Sequence, residues 1–123
     1  MRLELKQTRI ADVVVITVSG RVDHANAEQF RTLLWPLLAS CAASRDRLVL
    51  ELSGLEYISS AGLRVLMLAS RDVKARDGTL VVCALQPIVR EIFEISRFNI
   101  VFRVLPDRAA ALAELRVAAP AGA

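Results

Sequence analysis

The sequence predicts an α/β fold: a mixed, largely parallel sheet of about five strands with four helices. Three observations carry this. Short apolar, β-branched runs alternate along the chain with segments of helical periodicity. Residues 13–18 (VVVITV) are apolar without alternation, the pattern of a strand buried on both faces. The strand–helix–strand spacing fits right-handed crossovers, which make parallel neighbours.

In order, residues 3–6 are a first short strand, and 8–12 a turn into the strand at 13–18. Gly20, Arg21, Val22 and Asp23 stop that strand. Residues 25–40 place Phe30, Leu33, Leu34, Leu37 and Leu38 at helical spacing, with Pro36 expected to kink or end the helix. Residues 47–52 (RLVLEL) read as the third strand, and 63–74 as a helix stopped by Asp77 and Gly78. Residues 79–84 (TLVVCA) are the fourth strand. The segment 87–96 is a helix with Pro87 in its first turn. Residues 100–104 read as the fifth strand, and 107–115 as a last helix capped by Asp107. The domain spans residues 1–116, and 117–123 form a small-residue tail expected to be loose.

Composition narrows the function. A chain of 123 residues, 54% hydrophobic and 24% charged, has the balance of one packed domain. Its mean hydropathy of +0.44 is high, and a large buried sheet or a docking surface accounts for it. No apolar run approaches the roughly 20 residues of a spanning helix, and the charged N-terminus lacks a secretory h-region. The expected compartment is the cytoplasm, with no membrane insertion. The net charge of +3 comes from scattered residues without a Lys/Arg run, so nucleic acid is not an expected partner. With one histidine, His24, and two distant cysteines, Cys41 and Cys83, neither a metal site nor a catalytic triad is expected. Glu51 and Glu56 lack a paired carboxylate, and no glycine-rich phosphate loop is present. No catalytic residue, metal or cofactor is therefore expected, and the chain reads as a non-enzyme.

The informative stretch is 48–74, LVLELSGLEYISSAGLRVLMLASRDVK. A buried strand ends in a loop that delivers Ser59 and Ser60 to the start of an amphipathic helix. Capping of a free helix N–H is the reading that spacing alone favours; a modified serine is the other. On the helix, Leu63, Leu66, Met67, Ser70 and Val73 share a core stripe. Ala61, Val65, Leu68 and Asp72 lie opposite, flanked by Arg64 and Arg71. That second stripe is either an exposed docking ridge or the seat of a neighbouring helix, and the pattern does not separate the two.

The run LSGLEYISSAGLRVLM resembles the phosphorylation loop of STAS domains, in particular the bacterial anti-sigma-factor antagonists (anti-anti-sigma factors). GRVDHANAEQF is similar to that family's strand-to-helix turn. GTLVVCALQPIVREIFEISRFNIVFRVLPDRAAAL is similar to its later strands and helices. Together these cover about residues 3–116. The resemblance implies a STAS-type fold and a phosphoacceptor two residues before the helix glycine, which is Ser60 ahead of Gly62. Ser59 stands where many members have Asp and is the secondary candidate. It also implies partner switching. The unphosphorylated protein sequesters a serine-kinase anti-sigma factor of the histidine-kinase-like ATPase type. Phosphorylation of Ser60 releases it, and a PP2C-type phosphatase resets the switch. The candidate partner-binding residues are Asp23, His24, Ser59, Ser60 and Gly62 around this junction, together with Ala61, Arg64, Val65 and Leu68 of the second helix stripe. An alternative keeps the fold without a phosphate switch: an accessory subunit of an ABC-type lipid or solute transporter, or a sensory-complex scaffold.

Overall fold

The computed structural model describes residues 2–10, 12–39 and 47–117. Its elements are β1 (Glu4–Ile10), β2 (Val13–Val22), α1 (Ala27–Ala39), β3 (Arg47–Ile58), α2 (Ser60–Ala75), β4 (Thr79–Cys83), α3 (Pro87–Ile95), α4 (Phe98–Val101), β5 (Arg103–Leu105) and α5 (Arg108–Val117). The five strands form one sheet in chain order, β1-β2-β3-β4-β5. β1 is antiparallel to β2, and every other pairing is parallel. This is the mixed, largely parallel architecture expected, with five helices among the described residues instead of four.

The non-alternating apolar strands divide their side chains between two layers, because successive residues point to opposite faces. Val14, Ile16, Val18, Leu48, Leu50 and Val82 join the larger core with α1, α2 and α3. Val13, Val15, Val49, Val81 and Cys83 join a smaller core under Ala111 and Leu115 of α5. Every one of these strand residues is buried, which is why the sequence carries no polar interruption there.

Several boundaries differ from the sequence reading. β2 does not stop at Gly20 but runs through Gly20 and Arg21 to Val22, because β3 lengthens beside it and keeps these residues paired. α2 begins at Ser60, three residues before the expected start. β1 continues to Ile10, so residues 8–10 pair with β2 and are not a turn. β3 continues from Leu52 to Ile58. Its pairing with β2 slips between Thr17 and Ser19 and again between Gly20 and Arg21, with β3 supplying an extra residue each time. These bulges space Leu52, Leu55 and Ile58 three apart, yet all three enter the larger core. Residues 100 and 101, expected in a strand, instead close the four-residue α4, and β5 begins at Arg103. α1 runs past Pro36 to Ala39. Pro36 forgoes one hydrogen bond near the helix end, where the remaining turn stays held by burial of Leu34 and Leu38.

The expected Asp107 cap is present: its Oδ1 accepts from the Ala110 N–H at 2.8 Å. The helix it starts reaches Val117, and residues 118–123 of the expected tail lie outside the described residues, as does Cys41.

Candidate functional site

The site is built where β2 and β3 end side by side and hand the chain to α1 and α2. Val22 pairs with Ile58, and the Ser59 N–H donates to the Val22 carbonyl at 2.8 Å. This fixes the start of α2 against the end of β2. Gly62 completes the junction. A Cβ there would lie 2.6 Å from Val22 Cγ1 and 2.7 Å from Ile58 Cγ1, so only glycine lets the first turn of α2 approach this closely.

The two serines have different surroundings. Ser59 is the N-cap of α2, extended at φ −84° and ψ 172°, and its Oγ accepts from the Gly62 N–H at 3.2 Å. Its carbonyl accepts from the Leu63 N–H at 2.9 Å, and only 5% of the residue is exposed. Ser60 is the first helical residue and is exposed. The capping reading is realised on Ser59, and Ser60 stands exposed at the positive end of a 16-residue helix.

Asp23 and His24 occupy the turn from β2 into α1. Asp23 Oδ1 accepts from the Ala25 N–H at 2.9 Å and the Asn26 N–H at 3.0 Å. Asn26 closes the turn in return: its Oδ1 accepts from the Asp23 N–H and its Nδ2 donates to the Arg21 carbonyl, both at 2.8 Å. The half-buried Asp23 carboxylate therefore shapes the turn, and His24 is exposed beside it. Asn26 thus does more than start a helix. Its reciprocal bonding with Asp23 was legible in the D-x-x-N spacing.

The stripe Ala61, Val65, Leu68 is not an exposed ridge. Val65 is 7% exposed, and Ala61 and Leu68 are half-buried. α1 packs alongside α2, and between them runs a groove of about 250 Å³ lined by Ala27, Glu28, Arg31, Ala61, Arg64, Val65 and Leu68. Its floor is apolar and its rim carries charge from both helices. Glu28 and Arg31 of α1 both stand on this rim. Arg31 lies over the Trp35 ring at 5.1 Å. Arg76, at the C-terminus of α2, donates to the Leu38 carbonyl at 3.3 Å and to Asp72 at 3.2 Å, which ties the two helices together.

On the other face of the sheet, Glu51 accepts from Arg108 Nε at 2.5 Å and from Ser53 Oγ at 2.7 Å, fastening α5 to β3. Cys83 is fully buried nearby, and desolvation, with the Glu51 carboxylate second, pushes its thiol up to about 11. Among the described residues no cluster of three metal-ligating side chains occurs, and no helix is long and apolar enough to cross a membrane.

A STAS domain model matches residues 4–111, and the chain belongs to the STAS domain family. Its relatives make the class more specific. Over 118 residues it is 41% identical to BtrV of Bordetella bronchiseptica, named as an anti-sigma factor antagonist, covering 96% of this chain and 99% of that one. The crystal structure of an anti-sigma factor antagonist from Mycobacterium paratuberculosis superposes with a TM-score of 0.80 at 24% identity, covering 94% and 95% of the two chains. SpoIIAA, an anti-sigma factor antagonist solved in its unphosphorylated form, superposes with a TM-score of 0.72 at 19% identity over 95% of this chain and 100% of its own. The fold is thus that of the anti-sigma factor antagonists.

Proposed function

We propose that this chain is a phosphorylation-controlled partner switch. Its unphosphorylated form binds a serine-kinase anti-sigma factor through the N-terminal end of α2 and the adjoining α1–α2 groove. The kinase transfers the γ-phosphoryl group of ATP to the Ser60 hydroxyl, the complex separates, and a PP2C-type phosphatase hydrolyses the ester to restore the binding form. The chain acts as substrate and ligand, and the catalysis belongs to its partners. One observation carries the reading: at the strand–helix junction the Ser60 hydroxyl is exposed while its neighbour Ser59 is buried and engaged as the cap. The full-length similarity to a protein named as an anti-sigma factor antagonist supports the class of partner.

The physics constrains how release works. Phosphate brings about −1.5 to −2 charge to the N-terminus of a helix, where negative charge is favourable. The fold is therefore not the element that gives way. The cost falls on the interface, where the new charge is desolvated against the partner. A hundredfold loss of affinity needs about 3 kcal/mol, within reach of one misplaced charge.

The test is incubation with ATP and a serine-kinase anti-sigma factor from the same organism. Phosphate on Ser60, absent from Ser60→Ala, and a complex that dissociates on labelling are the expected results. A kinase that leaves Ser60 unlabelled, with stable binding to an ABC-type ATPase instead, would overturn the switch in favour of the transporter-subunit alternative.

A further inference from the structure

Arg64 stands one helical turn beyond Ser60, on the same side of α2. Side chains four apart on a helix are neighbours, with Cβ atoms about 6 Å apart. The Cα–Cβ bond tilts toward the helix N-terminus, so a long side chain at 64 leans back over the turn that holds Ser60. Arg64 is exposed, and among the described residues it takes part in no ion pair. The first turn of α2 contains no acidic residue that would occupy it. The other nearby arginines are engaged: Arg31 covers Trp35, and Arg21 lies over the Tyr57 ring at 4.9 Å. Other charged or titratable groups near this end are Asp23, spent on its turn, exposed His24, half-buried Glu56 near the end of β3, and Glu28 on the opposite rim of the groove.

We infer that Arg64 is the charge that reads the state of Ser60: free, it receives a carboxylate of the partner seated on the α1–α2 groove; with Ser60 phosphorylated, it is captured by the phosphate. This rests on the proposed switch and adds its electrostatic device. The rim carries Arg31 and Arg64 against Glu28, so it is net positive. A phosphoryl dianion beside Arg64 both neutralises that cation and turns the rim net negative. An acidic partner segment then loses its counter-charge and meets repulsion in one step. Arginine suits the role because its planar donor fork grips carboxylate and phosphate alike.

The test uses the full chain with phosphoserine installed at position 60 by genetic code expansion, so it needs no kinase. A ³¹P NMR titration should place the phosphate's second ionisation below the ordinary value of about 6. Arg64→Gln should raise it by about half a unit, Arg64→Lys by less, and His24→Gln should leave it in place. No shift in Arg64→Gln, or the same shift from His24→Gln, overturns the pairing. Affinity for the serine-kinase anti-sigma factor then tests the exchange. Unphosphorylated Arg64→Gln should bind at least fivefold more weakly, and phosphorylation should weaken its binding further by a smaller factor than in the parent. Unchanged binding by unphosphorylated Arg64→Gln overturns the carboxylate contact. Failure of the kinase to label Ser60 strikes the switch itself, and is seen separately from the NMR result.

Discussion

Replacing each serine of the pair by alanine separates structure from signalling. Ser59→Ala deletes the Oγ that accepts from the Gly62 N–H and leaves that donor at a buried residue without its partner. Loss of an N-cap costs about 1 kcal/mol, and the burial of Gly62 places this one toward about 2 kcal/mol. For a domain of this size that is a fall in Tm of roughly 4–8 °C. Ser60→Ala removes an exposed hydroxyl whose side chain makes no hydrogen bond among the described residues, so its effect should stay within about 0.5 kcal/mol. Ser59→Asp keeps a capping oxygen and adds favourable charge at the helix start, so it should retain most of the parent stability. Urea melts with a common slope measure the stabilities, and labelling by the kinase at a temperature where all variants are folded measures the acceptor. Ser59→Ala should still be labelled and Ser60→Ala should not. Equal destabilisation by the two alanine variants, or loss of labelling in folded Ser59→Ala alone, would refute the division of roles.

Three further outcomes follow from the same contacts. Gly62→Ala drives a methyl group into Val22 and Ile58; overpacking of about 1–3 kcal/mol should outweigh the roughly 1 kcal/mol gained in helix propensity, and a denaturant melt showing net stabilisation would refute the close approach. Arg108→Ala leaves the largely buried Glu51 carboxylate with only Ser53, which should cost about 1–3 kcal/mol by urea melt, part of it recovered when Glu51→Gln is added. Cys83 should resist thiol reagents in the folded protein at pH 8. Its ionisation is raised from 9.0 to about 11, so the unfolded chain loses the proton first, and the stability this group contributes is complete below pH 9 and lost between about pH 9 and 11. Cys83→Ala should flatten that part of a stability–pH curve, and an unchanged curve would refute it.

The central strands were legible because their burial on two faces leaves an uninterrupted apolar signature at 13–18 and 47–52. The second half of β3 was not. Ser53-Gly54 reads as a turn, and Leu52, Leu55 and Ile58 break the period of two; the bulges that restore their common direction exist only in the pairing with β2. Residues 100–104 misled in the opposite way. Their apolar run suggests a strand, but Arg97 takes a left-handed conformation at φ 60°, and Phe98 and Phe102 fold back to meet Phe93 with ring centroids 6.1 Å away. That aromatic cluster leaves Ile100 75% exposed at the tip of α4. At the site, the order of residues revealed the helix start and both serines. It could not reveal which one was buried, because that depends on the Ser59 N–H reaching across to Val22. Nor could helical periodicity decide whether Val65 met water or α1, since a second apolar stripe looks the same in either case.

The strand order also bears on how the chain acquires its structure. Among the described residues each strand pairs only with its neighbours in sequence, so the sheet can be laid down from one edge to the other without waiting for a distant partner. Everything that forms the Ser60 junction comes from β2, α1, β3 and α2, all within the first 75 residues. During synthesis that junction can be assembled before the last two strands exist, and the later elements are then added against a template already in place.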